Sequence, residues 1–260
     1  MEQKIKDWLL KGGLPFEMEV SNIFLDNDFM VAQSVYYKDG ELGKYRETDI
    51  IAHITKKING VFVNLTFVVE CKSSLDKPWI ILQNERLSNS IDEINMIYMT
   101  ENFKPSLNEI VKNEKFKSDL IFKNNAKYGY SIITGLNTGN DKAYESIQTV
   151  LKSCEHFVTA TNNSNRKVKV CNLYFPLIII KGALYCAKMI TSSELDLFEV
   201  NKGEIILSRS YHEFNNSVIK IFNEKNLENN IKSLKKQCED FFKHYTTIMK
   251  EKIPYRADMP

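Results

Sequence analysis

Asp49-Ile50-Ile51-Ala52-His53-Ile54-Thr55 and Val61-Phe62-Val63-Asn64-Leu65-Thr66-Phe67-Val68-Val69-Glu70-Cys71-Lys72 are two apolar-rich runs joined through Lys56-Lys57-Ile58-Asn59-Gly60. An Asn-Gly pair between such runs predicts a hairpin closed by a two-residue turn. Ile58 then faces Val61, and counting outward without a bulge sets Ile54 against Leu65, Ala52 against Phe67, Ile50 against Val69 and Asp49 against Glu70. One face is apolar apart from Lys56 beside Val63. The other pairs Thr55 with Asn64, His53 with Thr66 and Ile51 with Val68 before it ends in the two acids. A slip of one residue would turn the apolar set to the wrong side, so the pattern specifies the register.

Alternation also puts Glu70 and Lys72 on one face of their strand, with Val69 and Cys71 on the other. Directly opposed residues hold their Cβ atoms ~5 Å apart. Two carboxylates that close repel unless a cation or a proton lies between them. Phosphodiester hydrolysis uses such a cation to polarise the phosphate and offset developing charge, and carboxylates are natural ligands of Mg²⁺ or Mn²⁺. The competing reading is a strand-end network in which Asp49 and Glu70 are salt-bridged to Lys72 and Arg46, an arrangement worth little at a surface. The constellation as a whole, rather than any one residue, favours the catalytic reading.

Arg46-Glu47-Thr48-Asp49 followed by Val69-Glu70-Cys71-Lys72 resembles the motif of the PD-(D/E)xK nuclease superfamily, with Thr48 at the family's proline position. Upstream, Gly13-Leu14-Pro15-Phe16-Glu17-Met18-Glu19-Val20 resembles the family's first helix with its acidic residue; downstream, Lys77-Pro78-Trp79 closes the motif strand in similar sequences. The resemblance covers residues 14–79. It implies an α/β fold, a central mixed sheet flanked by helices, with a restriction-endonuclease-like core, to which the residue pattern adds extra C-terminal strands and a long C-terminal helix. It implies a metal-dependent nuclease acting on DNA, in restriction, repair or defence against foreign DNA. Asp49 and Glu70 would hold Mg²⁺ or Mn²⁺ with the Cys71 carbonyl as third ligand, and Lys72 would orient or deprotonate the attacking water. Glu17 would complete the site from the helix, with Glu19 as its rival. Phe16, Val20, Ile23 and Phe24 form that helix's apolar stripe and both glutamates flank it, so spacing leaves the two open and the family pattern favours Glu17. Lys77, Trp79 and Gln83 are candidate nucleic-acid contacts, the last one helical turn after Trp79 if a helix starts at Pro78. Against this, a tryptophan such as Trp79 is more often a core anchor than a base-stacking platform, and a lysine such as Lys77 more often a solvated charge than a phosphate contact.

Composition fits this reading. A chain of 260 residues that is 43% hydrophobic can bury a large core. A net charge of +2 permits a nucleic-acid partner without requiring one, so a binding surface would depend on clusters such as 112–127 and 166–169. Five cysteines without a C-x-x-C pair point to reduced thiols in a cytoplasmic protein, and away from structural zinc. The four histidines show no ligand spacing. There is no Walker loop or dinucleotide fingerprint, and no signal peptide or membrane span is read.

The rest reads as one α/β unit. Residues 82–127 are expected to form a helical insertion. Residues 141–158 form a helix that packs on the motif sheet, with Tyr144, Ile147, Leu151, Cys154 and Val158 at helical spacing after an Asn140-Asp141 cap. Residues 172–180 form a buried strand turned back at Lys181-Gly182 into 183–189, a second hairpin turns at Asn201-Lys202-Gly203, and 218–222 is a last strand. From Leu227 the positions Ile231, Leu234, Cys238, Phe241, Tyr245 and Ile248 form a helix seam that packs on its own sheet or, alternatively, pairs a homodimer. A recognition protein is the other partner this reading allows. Two further functions remain in view: a catalytically silent nucleic-acid-binding or scaffold subunit, and a hydrolase of a small phosphodiester, which would need a closed pocket.

Overall fold

The turn forms as the sequence predicts. Asn59 and Gly60 both adopt positive φ, +50° and +78°, Ile58 pairs with Val61, and the antiparallel ladder runs without a shift to Ile50 opposite Val69. These are features of a computed structural model that describes residues 1–260 apart from 12, 41–42, 85–97, 120, 123–127, 138, 140, 165–169, 192, 209–215 and 255–260. In chain order the elements are α1 (Glu2–Lys11), α2 (Leu14–Asp26), β1 (Met30–Lys38), β2 (Tyr45–Ile58), β3 (Val61–Ser73), β4 (Trp79–Gln83), β5 (Tyr98–Met99) and α3 (Lys104–Ile110). They continue with β6 (Gly129–Thr134), α4 (Lys142–Asn162), β7 (Val170–Lys181), β8 (Leu184–Met189), β9 (Leu195–Glu199), β10 (Lys202–Ser208), β11 (Asn216–Asn223) and α5 (Leu227–Lys252).

All strands join one mixed sheet in the order β1-β2-β3-β7-β11-β10-β6-β4-β8-β9, with β5 paired to β7. β3 pairs antiparallel with β2 and parallel with β7, the latter from Phe62 to Ser73. β7 is buried along both faces, the burial expected of an apolar run in the middle of a sheet covered on both sides. On one side Ile50, Ala52, Val69 and Cys71 meet Phe16, Val20 and Phe24 of α2 and the stripe of α5. On the other, Val68 and Ile178 meet Ile147, Leu151 and Cys154 of α4.

α4 begins where its cap signal predicts, with Asp141 accepting from the N–H groups of Ala143 and Tyr144, although Tyr144 itself is exposed. The α5 seam is consumed by the protein's own sheet: Ile231, Leu234, Cys238, Phe241 and Tyr245 are all buried in the α2–α5 core. Lys56, the interruption in the apolar face, reaches across to this helix, its Nζ 3.0 Å from Thr246 Oγ1 and 5.8 Å from the centre of the Phe242 ring. Its apolar stem is thereby accommodated while the amine keeps a polar partner.

Three connections differ from the sequence reading. Pro78 starts no helix, because residues 79–83 form β4 between β6 and β8. Lys181-Gly182 does not fold β8 back onto β7; β8 pairs with β4 and β9 instead. Gly182 is needed there for another reason, φ +138° and a close approach in which a Cβ would run into the Ser74 carbonyl. Nor do β9 and β10 form a hairpin, since β9 pairs with β8 and β10 with β11 and β6. Within 82–127 the described residues hold the end of β4, β5, α3 and two short 3-10 turns. Among the described residues no helix is long and apolar enough to cross a membrane, and all five cysteines are free and buried.

The turn is also tied to the far end of the chain. Asn59 Nδ2 donates to the Lys250 and Ile253 carbonyls at 2.7 and 2.8 Å, supplying acceptors at the end of α5 with a donor they would otherwise lack. Asn59→Gly keeps the left-handed turn and loses these bonds, and should cost about 1 kcal/mol. Asn59→Ala loses both and should cost about 2–3 kcal/mol. Urea unfolding of the two variants separates the contributions; equal losses would assign the whole effect to the side-chain bonds.

Candidate active site

β2 turns over beside the predicted acid. Thr48 Oγ1 donates to Ser153 Oγ on α4 at 2.7 Å, whereas Ile50, two residues on, lies in the opposite core. Residues two apart on a regular strand share a face, so the chain rotates between them, at Asp49. On β1 the facing position is Ser34, with φ +52°, and the β1–β2 pairing resumes on either side of it without a register shift. The β2–β3 ladder ends at Ile50 and Val69. One step beyond, the Asp49 carboxylate accepts the Cys71 backbone N–H at 2.7 Å. The count from the turn therefore reaches Asp49, but Asp49 does not continue the ladder: its side chain replaces a backbone acceptor. Such irregularities are favoured beside functional sites, where they re-aim a side chain.

Glu70 and Lys72 alternate with Cys71 onto the α4 side, in line with Val68. Glu70 is only 4% exposed, and Lys72 Nζ lies 2.6 Å from its Oε1. Burial, and then the Asp49 charge, push the Glu70 carboxyl up to about 7 against the pull of Lys72. Burial also raises Asp49, offset in part by the Cys71 N–H and by Lys72. Glu17 on α2 is half-buried and raised by burial and by Asp49, with Lys72 acting in the opposite sense. For Lys72 burial favours the neutral amine, but Glu70 and Asp49 outweigh it, so its pKa lies above the ordinary lysine value. Three carboxylates from α2, β2 and β3 thus share the field of one ammonium.

The other sequence candidates are distributed differently. Glu19 is exposed on α2. The Cys71 thiol lies in the core, and burial raises its pKa well above the usual value. Trp79 is 0% exposed in the α4 core, where no base can stack on it. Gln83 ends strand β4 opposite Gly129. Lys77 is exposed and donates to Asn137 Oδ1 at 2.9 Å. Arg46 pairs not with the acids of the cluster but with buried Asp39, at 2.9 Å, which Lys152 of α4 also approaches at 3.5 Å. Of the basic clusters, Lys112 is paired with Glu109 at 3.1 Å, and 123–127 and 166–169 lie outside the described residues. Sequence reasoning gave no structural role to Thr48, Ser153 and Asp39, which fix the turned-over strand to α4; Thr48 and Ser153 are 105 residues apart and Asp39 and Lys152 are 113 apart, so no local signal marks these contacts.

Among the described residues no group of three or more His, Cys, Asp and Glu side chains is close enough to hold a metal ion. The chemistry of the donors nevertheless fits a hard divalent cation, because buried carboxylate oxygens outnumber the positive charge that faces them. No family model, curated protein or solved structure matches the chain.

The raised carboxyls set a pH dependence. Above 4.5 an unfolded Glu70 releases a proton that the folded chain keeps until about 7. The native state therefore binds more protons in that window, and stability falls as pH rises through it, by roughly 3 kcal/mol from Glu70 alone. The groups facing Glu70 are Asp49, Lys72 and Glu17. Glu70→Gln, which has no proton to lose, should flatten the profile and match or exceed the native chain at pH values above 7. Urea midpoints measured across the window without divalent cations check this; a native stability that rises with pH would contradict the assigned burial.

Proposed function

We propose that the chain is a divalent-cation-dependent phosphodiester hydrolase, a nuclease of the PD-(D/E)xK type with a restriction-endonuclease-like core, acting on DNA. The observation that carries this reading is the convergence of Glu17, Asp49, Glu70 and Lys72 where β2 and β3 part, with the Glu70 carboxyl raised to about 7 by burial and by Asp49. Ionisation perturbed by burial beside specific charge partners clusters at functional sites. The motif resemblance supplies the reaction class and the preference for DNA. It also supplies the Cys71 carbonyl as a third ligand.

Asp49 and Glu70 would hold Mg²⁺ or Mn²⁺, which when bound supplies Lewis-acid polarisation of the phosphoryl oxygen. Asp49 is fixed for this by the Cys71 N–H, which engages Oδ2. Lys72 is more basic than an ordinary lysine and ion-paired to Glu70, so it suits holding the attacking water and the developing negative charge better than removing a proton. Glu17, with its raised pKa, is the carboxylate suited to accept a proton from the α2 side.

Cleavage of linear, circular and single-stranded DNA should require Mg²⁺ or Mn²⁺ and stop in EDTA. Asp49→Asn and Glu70→Gln should abolish it and also remove the gain in thermal stability that Mg²⁺ gives above pH 7. Lys72→Ala should be inactive yet keep that gain. Full activity in EDTA, or in both acid variants, would reject the proposal.

The helix carboxylate has its own test. Glu17→Gln should slow cleavage by about tenfold or more, and Glu19→Gln should leave it near native. The reverse order in initial rates would move the role by two residues along α2.

A further inference from the structure

Beyond Lys72 the end of β3 opens into a groove of about 350 Å³ lined by Ser73, Ser74, Leu75, Lys77, Asn137 and Lys142, with Thr134 and Asp76 completing its wall. Two segments build it. One is the 73–78 turn after β3, and the other contributes Thr134, Asn137 and Lys142 from the end of β6 to the start of α4. They are pinned together by the Lys77 to Asn137 bond at 2.9 Å and by Gly135 N–H to the Pro78 carbonyl at 2.7 Å. The groove begins at Ser73, the residue after Lys72 at the end of β3, and Lys142 at the start of α4 closes its far wall.

We propose that this groove holds the nucleotide next to the scissile phosphate of a single DNA strand, with Lys77 and Lys142 on its phosphate. The inference rests on the hydrolase reading above and adds the form of the substrate. The volume lies at the small end of ligand sites, which suits one nucleotide. Two amines against the single carboxylate of Asp76 leave the lining positive. That charge comes from side chains and not from the start of α4, because Asp141 already accepts from Ala143 and Tyr144. Leu75, 69% exposed, gives the groove an apolar surface for a sugar or base.

The test measures binding of a labelled single-stranded DNA oligonucleotide and its duplex by fluorescence anisotropy. It uses the full chain carrying Glu70→Gln, with Mg²⁺, between about 50 and 200 mM salt. Lys77→Ala and Lys142→Ala should each weaken single-strand binding roughly 5–10-fold and lower the salt slope by about 0.7. Lys250→Ala, exposed at the opposite end of the hairpin, should change neither. Single-strand binding that ignores both groove variants overturns the groove and leaves the hydrolase standing. An equal loss on duplex overturns the single-strand assignment. If neither DNA form binds and the native chain cleaves neither, the hydrolase reading fails and takes the groove with it.

Discussion

The Cys71 N–H at the end of the β2–β3 ladder must find an acceptor, because an unpaired backbone donor at this depth is costly. Asp49 provides it at 2.7 Å, and much follows from that bond. β2 can rotate away toward α4, where Thr48 meets Ser153, while β3 continues alongside β7 as far as Ser73. The divergence opens the space in which Glu70, Lys72 and Glu17 approach one another. A backbone acceptor in place of the Asp49 side chain would prolong the ladder and close that space.

Burial alone does not distinguish this cluster. Glu204 and Lys220 are also buried, 2.6 Å apart on directly paired positions of β10 and β11. There each charge has its opposite, a self-contained pair whose desolvation is offset within the pair. At the β2–β3 divergence the signs are unequal, and burial beside Asp49 raises the Glu70 carboxyl to about 7.

What could be read from sequence was local or periodic. The Asn-Gly turn fixed nine paired positions because its dihedral demands and the alternation agree, and the cap and stripe of α4 and the stripe of α5 needed only neighbours three or four residues apart. Gly182 and Pro78 misled because the same residue types serve turns, crowding and strand starts alike. Gly182 is there to let Ser74 pass, and that neighbour is 108 residues away in the chain. The rotation at Asp49 was illegible for a similar reason: it coincides with the positive φ of Ser34 on β1 and with the Thr48–Ser153 bond to α4, on elements that the hairpin pattern does not mention. Trp79 belongs with the core because β4 is sandwiched between β6 and β8, a pairing that no window around Lys77-Pro78-Trp79 contains.

The bond from Asn59 to the carbonyl of Lys250 spans 191 residues. A chain made at roughly 5–20 residues per second leaves the hairpin without this anchor for on the order of 10–40 s after the turn is synthesised. During that wait the edge of β3 that will receive β7 stands open, and so does the apolar face that α5 will cover. The nascent hairpin is thus a sticky, half-finished sheet, and its safekeeping on the ribosome falls to whatever shields exposed strands until the last helix arrives.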